Sequence, residues 1–227
     1  MNNIDIYIFP YNQDNLPEFF NDKRLIELLP EERQKRIARY KFQKDKLLSM
    51  FAGLMIHYSY YLRYGDIVLP EIICGEFGKP FFRNETGKEF SVSHTFRKGK
   101  GLVAAAFSSE PAGVDAEFIK ESNLQIADHF FTEAESAYIH SSENPYESFC
   151  KVWTRKEAFV KCSGEGLQHG FDSFSVIDKK SENLFLTEKY PDSMLSLYSA
   201  KPYNNSSPVT VTAGRLKDFC LMLLENK

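Results

Sequence analysis

The sequence predicts an α+β fold made of two similar halves, and three observations carry that expectation. Alternating apolar and polar residues mark strands at 4–8 and 90–94, and short apolar or mixed runs mark others at 101–107 and 112–117. Apolar residues at helical spacing mark long helices at about 43–63 and 145–163. The order strand, helices, strands then occurs twice, with a break near Pro111, so the halves are expected at 1–111 and 112–227. The match is one of element order, because no residue-level repeat accompanies it.

Ile4, Ile6 and Ile8 alternate with Asp5 and Tyr7, the pattern of a half-buried strand. Pro30-Glu-Glu opens a helix at about residue 31, where proline and acidic residues suit a helix start, and the basic run Arg33, Lys35, Arg36, Arg39, Lys41, Lys44, Lys46 follows. Leu47, Phe51, Leu54, Met55, Tyr58 and Leu62 form a core stripe on the next helix, which Gly65 ends. Gly78 and Pro80 set a tight turn around Lys79 after the apolar stretch 72–74, and strand 90–94 ends in the polar tip Ser93-His94-Thr95. The small-residue run from Gly101 to Phe107 suits a strand buried on both faces.

Ala112 to Glu117 reads as a strand in which a period of two turns Asp115 and Glu117 to one face. A short helix is expected near 123–131, and another from the capping box Thr132-x-x-Glu135. In the central helix Asn144 is the N-cap, Pro145 the first helical residue, Glu147 the capping-box acid and Gly164 the stop. Short strands are expected at 171–176, 184–186, 195–198, 209–214 and 219–224.

With 43% apolar residues in 227, the chain has ample material for a core. The formal net charge of −3 argues against a general nucleic-acid binder. The opening lacks a charged segment followed by an apolar run, and no stretch of about eighteen apolar residues occurs, so no membrane association and a cytoplasmic location are expected. The four cysteines are scattered without C-x-x-C spacing, which makes zinc binding a poor reading and reduced core thiols the better one.

Chemistry concentrates on Asp115, Glu117 and the central helix, where Trp153, Glu157 and Lys161 share one row. A Glu and a Lys four apart are ordinarily a weak exposed pair, and an isolated Asp-x-Glu is ordinarily a solvated strand edge. Brought together, the three acids would form a hard all-oxygen site suited to Mg²⁺ or Mn²⁺.

Gly78-Lys79-Pro80, Ser91-Val-Ser-His94, Gly113-Val-Asp115-Ala-Glu117 and Trp153-Thr-Arg-Lys156-Glu157-Ala-Phe-Val-Lys161, in this order, resemble the 4′-phosphopantetheinyl transferases of the surfactin-synthetase-activating type. Phe130-Phe-Thr-x-x-Glu135 and the loop Gly164-Glu-Gly166-Leu167 extend the likeness over nearly the whole chain. The resemblance implies halves related by a pseudo-two-fold axis and packed side by side, with coenzyme A and Mg²⁺ in the cleft between them. It implies transfer of the phosphopantetheine arm of coenzyme A to a serine hydroxyl of an acyl or peptidyl carrier protein, with release of adenosine 3′,5′-bisphosphate. A monomer is expected on the same ground.

By that likeness Asp115, Glu117 and Glu157 hold the metal, and Glu157 or a metal-bound water is the base for the carrier serine. Lys161 contacts the phosphates and can protonate the leaving group, and with Asp115 it completes the catalytic set. Coenzyme A falls to Lys79 and Pro80 near the nucleotide, to Ser93 and His94 near the phosphates, and to Lys35 and Ser49 on the basic segment. His94 suits the 3′-phosphate best when protonated. The family's basic residues three before Lys35 and just before Ser49 are Glu32 and Leu48 here, so Arg33, Arg36, Arg39 or Lys46 stand in as compensating cations. The stretch Lys120 to Phe131, with Leu124, Ile126 and Phe130, is the expected apolar ledge for the carrier. A coenzyme A-binding module without turnover and a metal-dependent phosphoesterase are the competing classes.

Overall fold

Two sheets packed face to face, each backed by one long helix, form the body of this computed structural model, which describes residues 2–121, 124–166, 170–205 and 207–226. The first sheet grows from β1 (Asn2–Asn12), β4 (Glu89–Arg97) and β5 (Lys100–Ser108), in the order β1-β5-β4 with antiparallel pairing. The second is β6 (Ala112–Phe118), β8 (Ser193–Ser199) and β7 (Phe185–Lys189), also antiparallel, with β6 at its edge. A small hairpin, β2 (Ile72–Cys74) with β3 (Pro80–Phe82), stands apart.

Side-chain alternation distributes the core. Ile4, Ile6 and Ile8 of β1 and Leu102, Ala104 and Ala106 of β5 pack on Val114, Ala116, Leu195 and Leu197, filling the space between the sheets. The intervening residues Phe9, Tyr11 and Val103 face the helix α3 (Gln43–Tyr64). That helix is buried almost all round between Leu47 and Tyr60, since the short α1 (Arg24–Glu27) and α2 (Glu31–Arg39) cover its other sides. On the outer face of the second sheet lies α6 (Pro145–Ser163), preceded by α4 (Gln125–Phe130) and α5 (Glu133–Ser141). Asn144 accepts from the Glu147 amide at 3.2 Å and Gly164 ends the helix at φ 75°, as the sequence requires. Glu147 does not close a capping box; its carboxylate meets Asn144 Nδ2 and Lys189.

After the short α7 (Lys179–Glu182) and the second sheet, the chain crosses back. β9 (Tyr203–Asn205) and β10 (Val209–Thr210) pair in parallel with β1, and α8 (Ala213–Glu225) packs Leu216, Phe219, Cys220 and Leu223 into the core around Phe51.

Three strand expectations are corrected. Residues 219–224 are helical, and 209–214 keeps only two strand residues, because the Thr212 hydroxyl caps α8 by accepting from the Arg215 amide and the apolar residues follow helical spacing. Residues 171–176 form a 3₁₀ turn and irregular chain, because their main-chain groups go to side chains: Lys156 takes the carbonyls of Phe171 and Phe174, Arg155 that of Val176, and Glu135 the Val176 amide. Of the helix expected near 123–131, residue 123 lies outside the described residues.

Candidate functional site

The edge strands β4 and β6 meet through side chains. Ser91 Oγ accepts from the Val114 amide at 3.1 Å, Ser93 Oγ donates to Asp115 Oδ1 at 2.7 Å, and Thr95 Oγ1 donates to Glu117 Oε2 at 2.8 Å. Arg97 donates to the Ile119 carbonyl. The last three pairs share one offset along the chain, so the strands run in the same direction with one β4 face turned to β6.

From the other side α6 closes on β6 because Gly113 has no side chain; a Cβ there would strike the Ala158 carbonyl and the Cys162 amide. Gly113→Ala should therefore destabilise the fold by about 1–3 kcal/mol, as overpacking does. Chemical denaturation measures it. The close approach puts Lys161 Nζ 2.6 Å from Asp115 Oδ1. Asp115 is only 4% exposed, and its Oδ2 is buried without a hydrogen-bond partner.

Burial, then the Asp115 charge, raises the Glu157 carboxyl above the usual range, against the pull of Lys161. Burial also raises Glu117, and the Thr95 hydrogen bond opposes it. The two acids thus share the field of Asp115. Among the described residues no three His, Cys, Asp or Glu stand gathered at metal-ligand spacing. Thr95 holds Glu117, and Lys161 and Ser93 hold Asp115. The donor set itself fits a hard divalent cation, because Asp115 Oδ2 is a buried anionic oxygen still lacking a partner.

Beside these acids a cavity of about 300 Å³ draws walls from distant segments: Phe77, Lys79 and Pro80 of the hairpin, Ser91, then Glu157 and Lys161. Lys79 Nζ donates to the Cys162 carbonyl at 2.8 Å, and its methylenes lie against Gly164, whose φ of 75° and lack of Cβ admit them. Ser93 and Asp115 are not among the residues that line it and are joined to each other. Leu167 lies outside the described residues.

The basic segment arranges itself differently from the plain reading of its charges. Lys35 is exposed and engaged with Glu31 and Glu32 of its own helix at 2.8 and 3.0 Å. Arg33 instead turns inward, donating to the Ser49 carbonyl at 3.3 Å, and burial pushes its guanidinium down to about 10. Ser49 is buried with its hydroxyl unpartnered. His94 is exposed on β4. Desolvation by the surrounding protein, with the charges of Lys161, Arg33 and Arg36, lowers its imidazole below the usual range. Thr95, Ser91, Arg33 and Arg36 are the neighbours that motif reading passed over or left unranked; the period-two face of β4 was the available signal for the two hydroxyls.

A second, apolar notch of about 170 Å³ adjoins Glu117, lined by Phe118, Ile126, Phe149, Cys150 and Trp153. On the expected ledge Phe130 is 59% exposed, whereas Leu124 and Ile126 are partly buried against the core around α6. No helix among the described residues is long and apolar enough to cross a membrane.

Residues 111–212 match the model of the 4′-phosphopantetheinyl transferase superfamily. The chain is 25% identical to 4′-phosphopantetheinyl transferase gsp of Aneurinibacillus migulanus over 99% of its own length and 92% of that relative. It is 30% identical to 4′-phosphopantetheinyl transferase ffp of Bacillus subtilis, covering 67% of this chain and 68% of the relative. With 4′-phosphopantetheinyl transferase Sfp of Bacillus subtilis (strain 168) it shares 28% identity over 68% and 69% of the two chains.

Proposed function

The chain belongs to the 4′-phosphopantetheinyl transferases, of the surfactin-activating type, and from that premise we propose how its site acts: it transfers the phosphopantetheine arm of coenzyme A to a serine of an acyl or peptidyl carrier protein. Adenosine 3′,5′-bisphosphate is the leaving product. The observation that carries this reading is the meeting of Lys161, Glu157 and the unpartnered Asp115 Oδ2 beside a cavity walled by Lys79 and Pro80. Asp115, Glu117 and Glu157 would hold Mg²⁺, with Mn²⁺ as a substitute. That ion would neutralise pyrophosphate oxygens.

The protein's own groups supply the rest. Glu157, with its raised carboxyl, takes the proton as the serine oxygen attacks the phosphorus that bears pantetheine. The bond from that phosphorus to the bridging oxygen breaks, and the electron pair leaves with the bisphosphate. Lys161 stands beside the leaving oxygens as a point charge and proton donor. Lys79 and Pro80 wall the nucleotide end, Ser93 orients Asp115, and Ser49 offers its unpartnered hydroxyl to the base.

His94, Arg33 and Arg36 form the pole for the 3′-phosphate, with Lys35 a more distant charge. The lowered imidazole of His94 favours the neutral ring when nothing is bound, and an arriving dianion favours its protonation. His94→Ala should raise KM for coenzyme A about tenfold or more, the equivalent of one charged hydrogen bond of about 1.5–3 kcal/mol. The Mg²⁺ requirement stays put. An altered Mg²⁺ requirement with unchanged KM would remove His94 from the nucleotide.

We infer two halves in chain order, 1–111 and 112–227, related by a pseudo-two-fold axis with the active site in the cleft between them, in a monomer working in the cytoplasm; residues 203–226 of the second half cross back onto β1 and α3 of the first. Each long helix backing its own sheet supports it. Phe130 gives the carrier an apolar foothold. Incubation with coenzyme A, Mg²⁺ and apo carriers tests the function by mass: a gain of one phosphopantetheine is expected. Hydrolysis without gain would mean a phosphoesterase, and neither would mean a binding module.

A further inference from the structure

We propose that Thr95 is a positioning residue for the divalent cation, aiming the Glu117 carboxylate through its hydroxyl; the inference rests on the metal reading above. Four side chains of one β4 face reach β6, and they fall into two kinds. The outer pair, Ser91 to the Val114 amide and Arg97 to the Ile119 carbonyl, grip main chain and fix the register of one strand against the other. The inner pair, Ser93 to Asp115 and Thr95 to Glu117, grip carboxylates and fix nothing but those side chains. Spacing makes this division. The acids alternate along β6 with the same period of two as the hydroxyls along β4, so each acid meets one hydroxyl.

The two acids do not need the hydroxyls equally. Asp115 is short, buried and held on Oδ1 by both Ser93 and Lys161. Glu117 has one more rotatable bond, and the side-chain hydrogen bond that aims its carboxylate is that of Thr95, with Lys120 and Lys161 pulling on its charge as well. A β-branched residue suits that task, because its χ1 is stiff and the oxygen stays where the strand puts it. The bond occupies one lone pair of Oε2. Hydroxyls or carbonyls that orient metal-binding carboxylates commonly matter about 10–100-fold in affinity.

Thr95→Val keeps the shape and removes the donor, while the outer anchors keep the strands in register. Mn²⁺ titrated into the full chain with coenzyme A present, and followed by the electron paramagnetic resonance of free Mn²⁺, reads the effect. The expected result is binding about tenfold weaker in Thr95→Val, with Thr95→Ser restored to within about threefold of the unaltered protein and melting temperatures nearly equal. Asp115→Asn is the control for the metal reading. If the unaltered protein binds no Mn²⁺, or Asp115→Asn binds as well as it does, the metal reading falls and takes this inference with it. If Asp115→Asn is impaired while Thr95→Val binds like the unaltered protein, the inference alone is overturned. Should Thr95→Val fail to fold, Thr95→Ala removes the same donor and is held to the same outcomes.

Discussion

Lys156→Met is expected to destabilise the protein by about 3–5 kcal/mol, the usual consequence of stripping one partner from a buried ion pair. Lys156 and Glu135 are both fully buried, with Nζ 2.7 Å from Oε2. The ammonium also donates to the carbonyls of Phe171 and Phe174, each at 2.6 Å, and sits 4.3 Å from the Phe174 ring centroid. Glu135 is equally engaged: Oε2 accepts from the Thr132 amide and hydroxyl, and Oε1 from the Val176 amide at 2.8 Å. Burial lowers the Lys156 ammonium below its ordinary range, and the hydrogen bond and charge of Glu135 oppose that.

Methionine fills the volume and offers no donor. It would leave a buried carboxylate and two carbonyls without their shared partner. The double variant Lys156→Met with Glu135→Gln should recover part of the loss, because no buried charge remains. Urea denaturation of the single and double variants checks both statements, and a single variant as stable as the parent would mean that the ammonium is not needed there.

Glu157→Gln should lower transfer by about 10²–10⁴-fold, the range expected when a positioned base is removed. The fold should not suffer. Glu157 lies in the repulsive field of Asp115 and Glu117, so an amide of the same size relieves repulsion, and the melting temperature should hold or rise. The comparison of carrier mass gain with thermal denaturation separates the two effects. Near-normal transfer by a well-folded variant would exclude the assignment, and loss of both activity and folding would make Glu157 structural.

These two neighbours in the chain illustrate how much of the site was legible. Both belong to the run Trp153-Thr-Arg-Lys156-Glu157, and reading by motif treats them alike. The packing separates them: Glu157 lines the cavity, and Lys156 ties α5, α6 and the 170s segment together. The inward turn of Arg33 and the capture of Lys35 by Glu31 and Glu32 were equally hidden. A basic run announces its charge, and only the surrounding acids decide which cation is already engaged. The C-terminal helix is another matter. Thr212 as a cap and Leu216, Phe219, Cys220 and Leu223 at helical spacing were readable, but a short apolar run fits either period.

The amino-acid order alone determined what depends on neighbours a few residues apart: β1, α3, α6 and its Asn144 and Gly164 caps, the β6 face carrying Asp115 and Glu117, and the motif set that marks the family. Tertiary structure alone decided what depends on partners far along the chain. The return of 203–226 to β1, the pairing of β4 hydroxyls with β6 acids, and the burial of Lys156 against Glu135 all join segments whose separation leaves no periodic trace. Local rules of spacing and capping act through the backbone's own short-range geometry, whereas these contacts are chosen by the burial of apolar surface and the satisfaction of buried charge over the whole fold.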